Sequence, residues 1–87
     1  MSDSDPIHVQ VLLFARARDL AGTDRVDLRL SAGTTVGQLR RRLVEEQPEL
    51  AGMVALSALA VNNEFVDDAS ELPAGAEVAL IPPVSGG

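Results

Sequence analysis

From Ile7 onward, apolar and polar side chains alternate, with Ile7, Val9, Val11 and Leu13 on one side and His8, Gln10, Leu12 and Phe14 on the other. A period of two predicts a strand, and the apolar character of Leu12 and Phe14 gives its second side an apolar end. Val26, Leu28 and Leu30 alternate with Asp27, Arg29 and Ser31, the pattern of a half-buried strand. The two strands are expected to form a hairpin with a long connection. In it Ala21-Gly22-Thr23 makes a turn, and Arg16 to Ala21 has room for a helical turn.

After Ser31-Ala32-Gly33 the period changes. Val36, Leu39 and Leu43 recur at helical spacing, with Thr34 or Thr35 as cap and Pro48 as stop, which predicts a helix over 35–47. Leu50, Met53 and Val54 continue the apolar face through a loop or short helical turn. Leu59-Ala60-Val61-Asn62 reads as a strand and Asn62-Asn63 as a turn, since Asn tolerates the left-handed region. Phe65-Val66 begins a return strand, Leu72 sits at the core edge, and Pro73-Ala74-Gly75 turns into a last strand over 77–81. In that strand Val78 and Leu80 face one way, and Glu77, Ala79 and Ile81 the other. A single helix of this length is not stable alone and must cover a sheet. The expected architecture is α+β, with four to five strands and one main helix across one face.

Composition narrows the chemistry. With 87 residues there is one small core, and with Phe14 and Phe65 the only aromatics, Val, Leu, Ile and Ala must fill it. The absence of Cys removes disulfides, thiolate metal sites and thiol nucleophiles, and the absence of Lys removes Schiff-base chemistry. All seven basic residues are Arg, at or before Arg42, whereas eight acids and no base occupy Glu45 to Gly87. The two parts carry +2 and −8, giving the net −6. This segregation predicts an acidic face beside the C-terminal tail, suited to a basic partner and unsuited to nucleic acid. Residues 1–6 carry two acids and no basic or hydrophobic signal segment, so the expectation is a cytoplasmic protein with no membrane association. The chain divides into an acidic leader (1–6), a folded domain (7–81) and an extended tail (82–87).

Conventional sites are missing. His8 is the sole histidine and has no acidic cluster around it, so no metal site is expected. Asp67-Asp68 reads as a solvated turn rather than a cation site, and Arg40-Arg41-Arg42 as a solvated helix face with Arg40 nearest the apolar side, partner recognition being the second reading. Serines lack a histidine relay, and the glycines are too dispersed to cradle phosphate. What remains is the tail Pro82-Pro83-Val84-Ser85-Gly86-Gly87. Two prolines stiffen the approach, two glycines keep the end slim enough for a narrow channel, and the last group is the Gly87 carboxylate. Ser85 to Gly87 reach about 10 Å when extended. Leu12, Phe14 and Ile81 are candidates for an apolar partner surface beside that tail, with ordinary core as the alternative reading.

Over nearly its whole length after the leader, the chain resembles the MoaD branch of the ThiS/MoaD sulfur-carrier family, small subunits of molybdopterin synthase with a ubiquitin-like β-grasp fold. The resemblance lies in Leu13-Phe14-Ala15-Arg16-Ala17-Arg18-Asp19-Leu20-Ala21-Gly22, in Thr35-Val36-Gly37-Gln38-Leu39, in Leu59-Ala60-Val61-Asn62, and in Gly75 through Gly87. Two positions depart from the pattern: Asn63 stands where Gly often follows Asn, and Ala76 where Asp is frequent. The resemblance implies that an ATP-dependent, ubiquitin-activating-like adenylyltransferase adenylates Gly87, and that a sulfur donor protein converts it to a thiocarboxylate. The tail, Pro82 to Gly87, then enters the large synthase subunit, in an assembly of two small and two large subunits. There sulfur passes to cyclic pyranopterin monophosphate (precursor Z), building the molybdopterin dithiolene. No cofactor is expected on the chain itself, ATP serving only the activating enzyme, and the catalytic groups are expected on the large subunit. Alternatives are a sulfur carrier for thiazole or cysteine synthesis and a ubiquitin-like modifier that joins its C-terminus to target amines.

Overall fold

The computed structural model describes residues 6–83. Strand β1 (Pro6–Leu12) leads through helix α1 (Ala15–Ala21) to β2 (Arg25–Ser31), and helix α2 (Val36–Glu46) follows. A 3-10 turn (Pro48–Leu50) runs into helix α3 (Ala51–Leu56), and β3 (Ala58–Val61), β4 (Glu64–Val66) and β5 (Glu77–Ile81) complete the chain. The sheet order is β2-β1-β5-β3-β4. Only β1 and β5 run parallel, and the other neighbours are antiparallel. The result is an α+β fold with a mixed five-stranded sheet and one main helix against one face. The last strand lies between the first and the third, at the centre of the sheet.

The alternation read from the sequence is the alternation of burial. Ile7, Val9 and Val11 of β1, Val26, Leu28 and Leu30 of β2, and Val78 and Leu80 of β5 are all buried on the helix side. Helix α2 answers with Val36, Leu39 and Leu43, each fully buried, and Leu50 and Val54 close the core from the turn and α3. The start of α2 is a reciprocal cap. The Thr35 side chain accepts from Gln38 N–H, and the Gln38 side chain accepts from Thr35 N–H. Its end is set by Pro48, which disfavours helix at the preceding residue, and Gln47 leaves at φ −134° and ψ 77°.

The loop over 67–72 completes the cap. Val36 N–H donates to Ser70 O, Gly37 N–H to Asp68 O and Leu72 N–H to Thr34 O, so first-turn donors of α2 that lack helical partners are met by this loop. A Cβ on Gly37 would meet Asp68 Cβ and O at 3.4 Å, which is why the loop can lie so close to the helix start. Asp67 holds its own turn, its Oδ1 accepting from Ala69 N–H and Ser70 Oγ.

Arg40 departs from the sequence reading. Instead of lying on a solvated face, its guanidinium donates to Val54 O at 2.6 Å, Ser57 O at 2.7 Å and Asp68 Oδ1 at 2.9 Å. One long side chain thereby closes the carbonyl end of α3, holds the lead into β3 and pins the loop over α2. The planar fork of donors explains why an arginine can serve three acceptors on separate segments.

Candidate functional site

Strand β5 is held from both sides, by β1 and by β3. Gly75, at φ 71°, turns the chain so that its N–H donates to His8 O, and Gln10 N–H then donates to Ala76 O, which starts β5 alongside β1. On the other flank Ala79 pairs with Ala60 and Ile81 with Ala58. Pro82, half-buried, and Pro83, exposed, follow at once, all described peptide bonds being trans. Neither proline has an N–H to extend a ladder, so regular pairing stops at Ile81. Val84, Ser85, Gly86 and Gly87 lie outside the described residues, as do residues 1–5. Four residues past Pro83 have a contour length of about 13 Å.

Across the sheet face opposite the helices runs an apolar row. Leu12 pairs with Ala79, Ala79 with Ala60, and Ala60 with Phe65. Paired residues share a face, so this row crosses four strands. Ile81 and Ala58 form the next pair toward the chain's exit, and Phe14 follows β1 at the same end. Phe14 is 52% exposed and Phe65 70%, while Leu12, Ala79 and Ile81 are partly covered. Ala60 is buried yet stands apart from the helix-side core cluster. The three predicted surface residues, Leu12, Phe14 and Ile81, are therefore outside the core and at one end of one face. Arg25, opposite Leu12, forms a polar border on the β2 side.

Sequence reasoning missed Phe65, Ala60 and Ala79 as members of this surface. Phe65 is brought there by the β3–β4 hairpin, whose two-residue turn, Asn62 at φ 51° and Asn63 at φ 72°, has the left-handed geometry that fixes pairing register. The available signal was the position of one of only two aromatics two residues beyond an Asn-Asn turn. Asn62 also steadies β5, its Oδ1 accepting from Glu77 N–H and its own N–H donating to Glu77 O.

Other expectations are corrected or resolved by placement. The acids after Glu45 do not make one face beside the tail. Asp67, Asp68 and Glu71 lie on the loop over the start of α2, Glu45, Glu46 and Glu49 at its other end, and Glu64 and Glu77 at the Asn62 end of β3, away from Ile81. Separation in sequence is undone because the acidic stretch supplies loop, helix end and strands to different parts of the fold. His8 is exposed, opposite Arg29 and away from the β5 exit. Among the described residues no group of three His, Cys, Asp or Glu side chains is placed to hold a metal ion. A concavity of about 790 Å³, bordered by Pro6, Ser31, Thr34 and Arg42, lies at the opposite end of β1 from the exit of β5. The candidate site is thus an apolar platform beside a tethered tail, suited to docking and delivery.

Comparison with known proteins identifies the family and the fold. The ThiS family profile matches residues 11–87. The molybdopterin synthase sulfur carrier subunit of Arabidopsis thaliana is 36% identical over 85 residues, which cover 98% of this chain and 88% of that protein. The crystal structure of Haloferax volcanii small archaeal modifier protein 1 superposes with a TM-score of 0.83 at 29% identity, covering 90% of this chain and 99% of that one. At 23% identity and a TM-score of 0.65 the fold is shared with a chain in the complex of subunits 1 and 2 of molybdopterin-converting factor from Helicobacter pylori, covering 93% of this chain and all of that one.

Proposed function

The chain belongs to the ThiS family, and we propose that within it this protein is the sulfur carrier subunit of molybdopterin synthase, its C-terminal Gly87 carrying sulfur as a thiocarboxylate. The observation that carries the proposal is the apolar row from Leu12 to Phe65 beside the exit of β5, since it joins a docking surface to the root of the tail. The similarity to the Arabidopsis thaliana subunit supports the same reading.

The chemistry follows from what a carboxylate lacks. It is a poor acyl donor, so an activating enzyme first joins the Gly87 carboxylate to the adenylyl group of ATP, with pyrophosphate leaving. The outer sulfur of a persulfide on a donor protein displaces AMP to give an acyl disulfide, and a thiol then cleaves its S–S bond, leaving a thiocarboxylate on Gly87 and a disulfide on the donor. The body then docks through Leu12, Phe14, Phe65 and Ile81 on the large subunit. Residues Pro82 to Gly87 enter that subunit's active site, where the soft sulfur attacks precursor Z and water then cleaves the acyl–sulfur bond, leaving sulfur on the pterin and returning the Gly87 carboxylate. Pro82 and Pro83 reduce the freedom lost when the tail is fixed. Gly86 and Gly87 present no side chain to the channel wall. Affinity resides in the folded face and reactivity at the tip, which explains a body without catalytic side chains of its own.

Intact mass tests the proposal. Incubation with ATP, the activating enzyme and a sulfur source exchanges one oxygen for sulfur, and adding the large subunit and precursor Z reverses it. Replacing Gly87 with Phe leaves folding intact and stops this cycle. Normal product formation by that variant, or by a chain lacking Gly86 and Gly87, overturns the assignment. The likeness to a small archaeal modifier protein favours one second reading, attachment of the C-terminus to amines of other proteins. Recovery of isopeptide adducts, with no transfer to precursor Z, decides for it.

A further inference from the structure

Strand β2 is an edge of the sheet and is seven residues long, whereas the other edge, β4, has three. Leu13 N–H donates to Asp24 O at 2.9 Å, and Leu12 is paired with Arg25. The main-chain groups of even-numbered β2 residues therefore face β1, and those of Arg25, Asp27, Arg29 and Ser31 face outward. Both ends of this outward row are closed within the chain. Thr23 Oγ1 donates to Arg25 O and accepts from its N–H, and Ser31 O accepts from Thr34 N–H and Thr34 Oγ1. Between them, Asp27 and Arg29 keep N–H and C=O groups without a partner among the described residues. An open stretch of this kind pairs with another strand unless something on it opposes pairing.

The side chains say which strand. Asp27 and Arg29 are exposed, of opposite sign, and symmetric about Leu28 in Arg25-Val26-Asp27-Leu28-Arg29-Leu30-Ser31. In an antiparallel pairing centred on Leu28, Asp27 of each copy stands opposite Arg29 of the other, twice, and the open groups make four main-chain hydrogen bonds. Centring on Asp27 or on Arg29 sets like charges against each other. Centring on Val26 needs the main-chain groups of Arg25, already held by Thr23. We infer that β2 joins β2 of a second copy of this chain, in the register that places Asp27 opposite Arg29 at two symmetric positions. The contact is isologous and small, so association is reversible and concentration-dependent. The row from Leu12 to Phe65 begins on β1 and leaves the docking face of each copy open.

Charge exchange tests the register. Sedimentation equilibrium of the full chain from about 10 µM to about 1 mM is expected to show an average mass rising above the 9.1 kDa of one chain. In the same range amide exchange at Asp27 and Arg29 slows. Asp27→Arg and Arg29→Asp each weaken self-association by about tenfold, because like charges then face each other twice. Mixing these two variants restores association, since each supplies the sign the other lacks, although both remain net negative. The double variant Asp27→Arg/Arg29→Asp associates as the unaltered chain does. A mass fixed at one chain throughout, or a mixture no heavier than its components, overturns the inference. Circular dichroism of each variant shows that it is folded.

Discussion

Single side chains do unequal work, and Arg40 does the most outside the core. Its three hydrogen bonds join α2 to the end of α3, to the lead into β3 and to the loop over 67–72. Arg40→Met leaves Val54 O and Ser57 O short of a charged donor and is expected to lose about 2–3 kcal/mol in urea unfolding. Arg40→Lys recovers only part of this, because one ammonium cannot span three acceptors on separate segments. Ala15 works in the other direction, standing at φ 47° just after β1. That conformation costs an alanine roughly 1 kcal/mol, so Ala15→Gly is expected to keep or raise stability, where the same change inside a helix loses about 1 kcal/mol. Neither effect was legible in the sequence. The acceptors of Arg40 lie 14, 17 and 28 residues away, and alanine carries no sign of the backbone angle that its neighbours impose.

Among the elements, α2 was the most legible because its instructions are local. Thr35 caps it, Gln38 answers the cap, three apolar residues recur at helical spacing and Pro48 ends it. Thr35→Ala removes the acceptor for Gln38 N–H and is expected to cost about 1 kcal/mol, read as a lower urea midpoint with an unchanged slope. The strands were legible for a similar reason, since a period of two appears in a few residues. Turn chemistry also fixed the β3–β4 hairpin, Asn62 and Asn63 supplying two left-handed residues in succession. Helix α1 was read as a helical turn, and the 3-10 turn leading into α3 as a loop or short helical turn, since each is too short to show a period. They are helical because packing puts Ala17, Leu50 and Val54 into the core.

For the whole molecule, the division is between a helix-covered face that holds the core and an open face to which the proposed function assigns docking. Phe14→Ala and Phe65→Ala touch only the second. Each is expected to weaken docking on the large subunit by about tenfold, as loss of an aromatic anchor does, while unfolding free energy changes by less than about 0.5 kcal/mol. Titration calorimetry and urea unfolding of the same variants check both halves, and the reverse ranking would place these rings in the folding core. Alternation, capping, turn residues and the family pattern up to Gly87 are properties of neighbouring residues, so the sequence alone determined the strands, α2, the α+β class and the sulfur-carrier reading. Which residues meet across the sheet depends on strand order and register, which join positions as distant as Leu12 and Ala79. Tertiary structure alone therefore decided that Leu12, Ala79, Ala60 and Phe65 form one row, that Arg40 is a clamp, and that acids contiguous in sequence are scattered in space.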